Sequence, residues 1–107
     1  MKCFVTFRLK PGVTPEQYEA WFRAVNVPAV AGMRSISSYR VWRTTGAAEG
    51  EPPYHYLEEM EFASQAEFDR ELEQVPEMGA MLEGWLELVG EHAIVYAVEV
   101  AQAPPRD

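Results

Sequence analysis

Two helix-start signals divide this 107-residue chain into similar halves, and they restrict its fold more than any other feature. Thr14 precedes Pro15 and lies three residues before Gln17, while Ser64 lies three residues before Glu67. Each reads as a capping box, in which a hydroxyl receives a helix N–H and the Gln or Glu side chain returns to the cap. Proline at the first helical position loses nothing, because that N–H has no intrahelical partner. A strand pattern runs up to each signal. Each half therefore brings at least one strand and then a helix, which excludes an all-helical bundle and an all-β sandwich.

The first strand is Lys2–Leu9, rich in β-branched and aromatic residues and stopped by Lys10-Pro-Gly12. Tyr18, Trp21, Phe22 and Val25 then fall at i, i+3, i+4 and i+7, a stripe that requires an apolar partner surface. Asn26-Val-Pro28 is expected to break or kink this helix, since the residue before proline avoids the α region. A short apolar piece, Ala29–Met33, follows. Ser35–Thr44 and Pro53–Phe62 read as the second and third strands, joined by an acidic hairpin loop over Thr45–Pro52 with Gly46 and Gly50. Phe68, Leu72 and Val75 mark the next helix. Pro76 restarts a helix whose stripe is Met78, Met81, Leu82, Trp85, Leu86 and Val89, and His92–Val100 is the last strand.

The order is βαββαβ. It predicts an α+β, ferredoxin-like domain over residues 1–100, a four-stranded antiparallel sheet with helices on one face, and a Pro-containing tail over 101–107. Alternation puts Tyr54, Tyr56, Met60 and Phe62 on one face of the third strand and His55, Leu57, Glu59 and Glu61 on the other. In the second strand Ile36, Arg40 and Trp42 oppose Tyr39, Val41 and Arg43. Both faces carry more apolar residues than one helical layer covers, so a face-to-face sheet homodimer is expected.

With 48% hydrophobic residues the chain can bury a core without covalent staples. A formal net charge of −8 argues against nucleic acid, whose phosphates need a basic footprint, and against an anionic membrane surface. Cys3 is the single cysteine, so neither an intrachain disulfide nor a cysteine zinc cluster can form. A buried small hydrophobe is its plain role. No signal-peptide core, membrane-length apolar run, Gly-rich phosphate loop or G-x-S-x-G elbow occurs, and His55 and His92 belong to no metal-ligand pattern. A cytoplasmic protein using no metal or cofactor is the expectation.

Candidate chemistry concentrates in Pro53-Tyr-His-Tyr-Leu-Glu-Glu59. Tyr54, Tyr56 and Glu58 share a strand face, and a carboxyl among apolar neighbours has a raised pKa that suits proton transfer. Alternatively, Glu58 pairs with Arg40 or Arg43 on the adjoining strand. His55 is a second candidate acid–base group, pointing away from Glu58 by alternation, or else a surface or interface histidine. Trp21, Phe22, Trp42 and Trp85 either wall a flat ligand or fill the core. Asn26 either caps the helix end or faces the space between helices and sheet.

Leu9-Lys-Pro-Gly12, Tyr18-Glu-Ala-Trp21, Asn26-Val-Pro-Ala-Val30, Tyr39-Arg-Val-Trp-Arg43 and Pro53-Tyr-His-Tyr-Leu-Glu58 follow in the order and spacing of one family. With these motifs the chain resembles the RedY-like (HapK) group of dimeric α/β-barrel proteins; beyond Ser64 the likeness is one of pattern. Members occur in pathways to prodiginine pigments and bisindole alkaloids, where they are thought to steer reactive intermediates without a cofactor. The resemblance implies a small, apolar, aromatic ligand of pyrrole or indole type, guided through cyclisation, dehydration or tautomerisation. It implies that Trp21, Asn26, Tyr39, Arg43, Tyr54, Tyr56 and Glu58 lie near that ligand; the expectation from the residues themselves is that Glu58 or His55 moves the proton. Asn26 stands where relatives are expected to carry an aspartate, so no acid role is carried to it. A cofactor-free monooxygenase of the same fold and a non-catalytic small-molecule-binding protein are the rival expectations.

Overall fold

The computed structural model describes residues 1–106. Strand β1 (Lys2–Leu9) leads through a turn, in which Gly12 takes a φ of 89° that L side chains resist, to helix α1 (Pro15–Trp21). A π turn (Phe22–Asn26) joins α1 to α2 (Val27–Ala31), and β2 (Ile36–Arg43), β3 (Tyr56–Phe62), α3 (Gln65–Gln74), α4 (Pro76–Leu88) and β4 (Val89–Ala97) follow. The sheet order is β2-β3-β1-β4 with every pair antiparallel. This is the expected α+β arrangement.

Alternation decides which side chains enter the core. Cys3, Val5, Phe7 and Leu9 of β1 and Tyr56, Glu58, Met60 and Phe62 of β3 are buried under the helices, while the residues between them are not. Tyr18 meets Phe7 and Tyr56 at ring-centroid distances of 5.3 and 4.9 Å and nails α1 to the two central strands. Trp21 lies against α4 at Gly84, where a Cβ would stand 3.1 Å from the indole, so the missing side chain sets how closely α1 and α4 approach.

Several local expectations change. Thr14 and Gln17 form the full reciprocal capping box, but at Ser64 only the hydroxyl acts, receiving the Glu67 N–H. Pro28 does not break the helix. Because Pro28 has no N–H for the Ala24 carbonyl, the chain widens instead, and the Val27 N–H reaches back five residues to the Phe22 carbonyl. The extra residue rotates the inward face by one position. Asn26 is buried at 2% exposure and Val25, expected in the apolar stripe, faces solvent.

A register irregularity between Ile36 and Ser38 turns Ile36 to the helix side with Tyr39, rather than to the side of Arg40 and Trp42. Strand β3 begins at Tyr56, so Tyr54 and His55 lie in the approach to it. Strand β4 starts directly at Val89, whose side chain is buried, and ends at Ala97. Residues 98–106 carry no regular secondary structure.

Candidate active site

The helices cover the sheet unevenly. Helix α4 is close to β4 only near their junction, and Ile94 and Tyr96 on the helix side of β4 are left about half exposed. Between the layers lies a cavity of about 220 Å³. Its floor is Cys3, Val5, Glu58 and Met60 of the sheet; its roof is Asn26, Val30, Met78, Met81 and Trp85; and its exposed lining residues, Leu82, Ile94 and Tyr96, mark the mouth.

Glu58 sits in this apolar space at 5% exposure with no ion-pair partner among the described residues. Burial raises its pKa to about 7, and the nearby Tyr39 and Tyr18 hydroxyls pull it down against that trend. The Tyr18 Oη donates to Glu58 Oε1 at 3.5 Å, a long bond. Tyr39 Oη donates to Asn26 Oδ1 at 3.0 Å. A phenol has one proton, so Tyr39 serves Asn26 or Glu58, not both at once. Burial, followed by the charge of Glu58, drives both phenol pKa values up and keeps them neutral donors.

Two N–H donors in the roof are poorly matched. Asn26 Nδ2 donates only to the Met81 sulfur at 3.4 Å, a weak acceptor. Trp85 Nε1 is buried with no hydrogen-bond partner. It comes near enough to the Tyr18 phenol to favour its anion but does not reach hydrogen-bond geometry. Cys3, at the floor, has a thiol pushed up by burial and by Glu58, so it is a neutral filler and not a nucleophile.

The structure brings Asn26, Tyr39 and Glu58 together in the cavity, where Trp85 joins them, and Tyr18 reaches Glu58 from the core beside it. The remaining expected site residues lie elsewhere. Arg43 does not pair with Glu58; its Nε and Nη2 donate to the two Glu19 carboxylate oxygens at 2.7 and 3.1 Å. Tyr56 Oη donates to the same carboxylate at 2.7 Å. Those bonds, Arg43 first, hold the Glu19 pKa below its usual range. Arg40 lies on the reverse face opposite Glu59. Trp21 packs on Gly84, and Tyr54 is half-buried, its carbonyl receiving the Thr44 hydroxyl.

His55 belongs to a separate, shallow surface cleft with Leu9, Lys10, Val13 and Thr44. Its Nδ1 accepts the Leu9 N–H at 2.9 Å, which gives this histidine a structural task at the β1 irregularity. His55 and Glu58 do not share a pocket.

No curated protein matches this sequence. Residues 1–100 match the family described as REDY-like protein HapK. The chain belongs to that family. The crystal structure of HapK from Hahella chejuensis superposes with a TM-score of 0.71 at 18% identity, covering 98% of this chain and 100% of that one. A Dabb family protein with a ferredoxin-like fold from Mesorhizobium loti gives 0.73 at 20% identity over 94% and 96% of the two chains. A dimeric ferredoxin-like protein of unknown function from Thermobifida fusca gives 0.72 at 20% identity over 91% and 89%. At these identities the likeness of this HapK-family chain to the solved structures is one of fold. Among the described residues no helix is long and apolar enough to cross a membrane, and no group of three His, Cys, Asp or Glu side chains could hold a metal.

Proposed function

We propose that this HapK-family chain is a cofactor-independent enzyme that moves a proton within a small, reactive aromatic intermediate of pyrrole or indole type, directing it to one cyclised, dehydrated or tautomerised product. One observation carries the reading: Glu58, buried in an apolar cavity without a cation, has a pKa near 7 and so is available as both acid and base at neutral pH. The cavity volume lies below the roughly 300–1,000 Å³ of pockets for drug-sized ligands, which suits a one- or two-ring molecule. The apolar lining, open only at the mouth formed by Leu82, Ile94 and Tyr96, limits the water that competes for the reactive intermediate. Tyr18 donates to the carboxyl, and Tyr39, held by Asn26, stands beside it.

The reverse face of the sheet supports pairing with a second copy. Trp42, Leu57, Thr6 and Ala93 form one row across the four strands, and Arg40, Glu59, Phe4 and Val95 form the next. Trp42 and Val95 are 50% and 53% exposed in the lone protomer. An apolar row edged by charges of both signs is self-complementary about a two-fold axis.

The acid–base reading is tested with 2-methylindole, whose C3–H exchanges with D2O through protonation at carbon. The protein accelerates this exchange, and Glu58→Gln loses about 100-fold or more of the acceleration. If 2-methylindole shifts the methyl resonances of Met78 and Met81 while exchange runs at the solvent rate, the protein binds without acid–base catalysis and the reading fails.

A further inference from the structure

The roof of the cavity holds an unbalanced set of polar groups. Its two N–H donors come from different elements, Asn26 from the π turn and Trp85 from α4. The Trp85 Nε1–H has no partner, and the Asn26 Nδ2–H has only a thioether. An unmade hydrogen bond in an apolar site is costly, so buried donors of this kind are matched once the site is filled. Met81 and Trp85 are four residues apart on α4 and share its inward face, and Asn26 Nδ2 touches Met81. The two donors therefore belong to one wall. Glu58 is on the opposite wall, in the sheet.

We propose that the cavity takes a one- or two-ring ligand bearing a carbonyl group, with the carbonyl oxygen received by the Trp85 Nε1–H and the Asn26 Nδ2–H and the adjacent C–H turned toward Glu58. The substrate class is then a small aromatic ketone, aldehyde or lactam with an enolisable C–H. The ionised Glu58 carboxylate takes the proton from the carbon next to the carbonyl. The C–H electron pair becomes the new C=C bond, and the carbonyl π pair moves onto oxygen, where the two N–H groups stabilise the charge. Glu58 then returns the proton to a different atom, which completes a tautomerisation with no oxidant or reductant. This deepens the acid–base reading above and rests on it for the direction of the proton.

The test compares 1-indanone with indane, which differ by the carbonyl. A carbonyl buried without a donor is penalised for its lost hydration, so a site lacking free N–H groups prefers indane. The expected result is that 1-indanone binds at least as tightly as indane and moves the Trp85 indole N–H proton resonance downfield, whereas indane does not. Trp85→Phe weakens 1-indanone by about ten-fold and leaves indane binding nearly unchanged. A wild-type preference for indane, with the Trp85 N–H resonance unmoved by 1-indanone, overturns the proposal, and that measurement needs no variant. The two tests fail separately: carbonyl preference without 2-methylindole exchange removes the acid–base reading and with it the proton transfer to Glu58, leaving only the carbonyl subsite, and exchange without carbonyl preference removes the carbonyl subsite alone.

Discussion

The Tyr39 hydroxyl donates to the Asn26 side-chain carbonyl at 3.0 Å while lying close enough to lower the pKa of Glu58. This one phenol proton links the π turn to the sheet floor. With Glu58 neutral, Tyr39 can hold Asn26 Oδ1, which leaves Nδ2 turned to Met81; with Glu58 ionised, the carboxylate competes for the same proton. Tyr39→Phe removes that choice. It leaves the buried Asn26 oxygen without its donor, and a loss of about 1–3 kcal/mol is expected in chemical denaturation. The same variant also lifts the Glu58 pKa above about 7, because a hydrogen bond that favours the carboxylate is gone. Carboxyl titration by 13C NMR reads this directly; a midpoint unchanged from wild type would separate Tyr39 from Glu58.

Glu58 also makes stability depend on pH in an unusual direction for a carboxyl. Its folded pKa of about 7 exceeds the ordinary 4.5, so between these values the folded chain binds more protons than the unfolded one. Rising pH therefore destabilises the fold through that window, by about 3 kcal/mol in total, and the loss levels off above it. Glu58→Gln keeps the shape and removes the titration. The variant is expected to match wild type below about pH 4.5 and to be the more stable protein at pH 8. Denaturation at a series of pH values measures the difference, in which the contributions of the other carboxyls cancel. A flat difference would mean that Glu58 is not shifted.

How much of this was legible in the sequence depended on range. Two-residue alternation correctly set Tyr56 and Glu58 on one face and Leu57 and Glu59 on the other, because that rule is local to a strand; Tyr54 and His55, to which the same rule was applied, lie before β3 begins. The helical stripe failed at Val25, since one widened turn ahead of Pro28 replaced it with Asn26, and a 3.6-residue period contains no such step. Arg43 and Tyr56 looked like ligand contacts. Their partner, Glu19, is on a helix 24 and 37 residues away, and only the packing of α1 over the sheet brings it there. Trp85 had the spacing of a core residue and is one; its unpartnered N–H became visible only with coordinates.

The Glu19 cluster is expected to be structural. Glu19→Ala releases Arg43 and removes the acceptor of the Tyr56 hydroxyl, yet Arg43 is largely exposed and such pairs contribute little. A loss of about 1 kcal/mol or less from the ion pair is expected, with a smaller part from the phenol. The exchange of 2-methylindole should stay at the wild-type rate, because none of these groups lines the cavity around Glu58. A large fall in exchange with the fold intact would return Arg43 and Tyr56 to the site.

Pairing through the reverse face gives the last prediction. Trp42 is half exposed, so a polar replacement there removes few contacts within the protomer. In a face-to-face dimer the same ring is buried against the partner's sheet, flanked by Leu57 across the strand pair. Large aromatic residues buried in an interface commonly contribute about 2 kcal/mol or more to association. The full chain is expected to sediment as a dimer at micromolar concentration. Trp42→Glu, which buries a charge in place of the indole in that interface, should sediment as a monomer with an unchanged circular dichroism spectrum. Wild-type protein that sediments as a monomer, or a Trp42→Glu variant that stays dimeric, would place the contact on another surface or remove it.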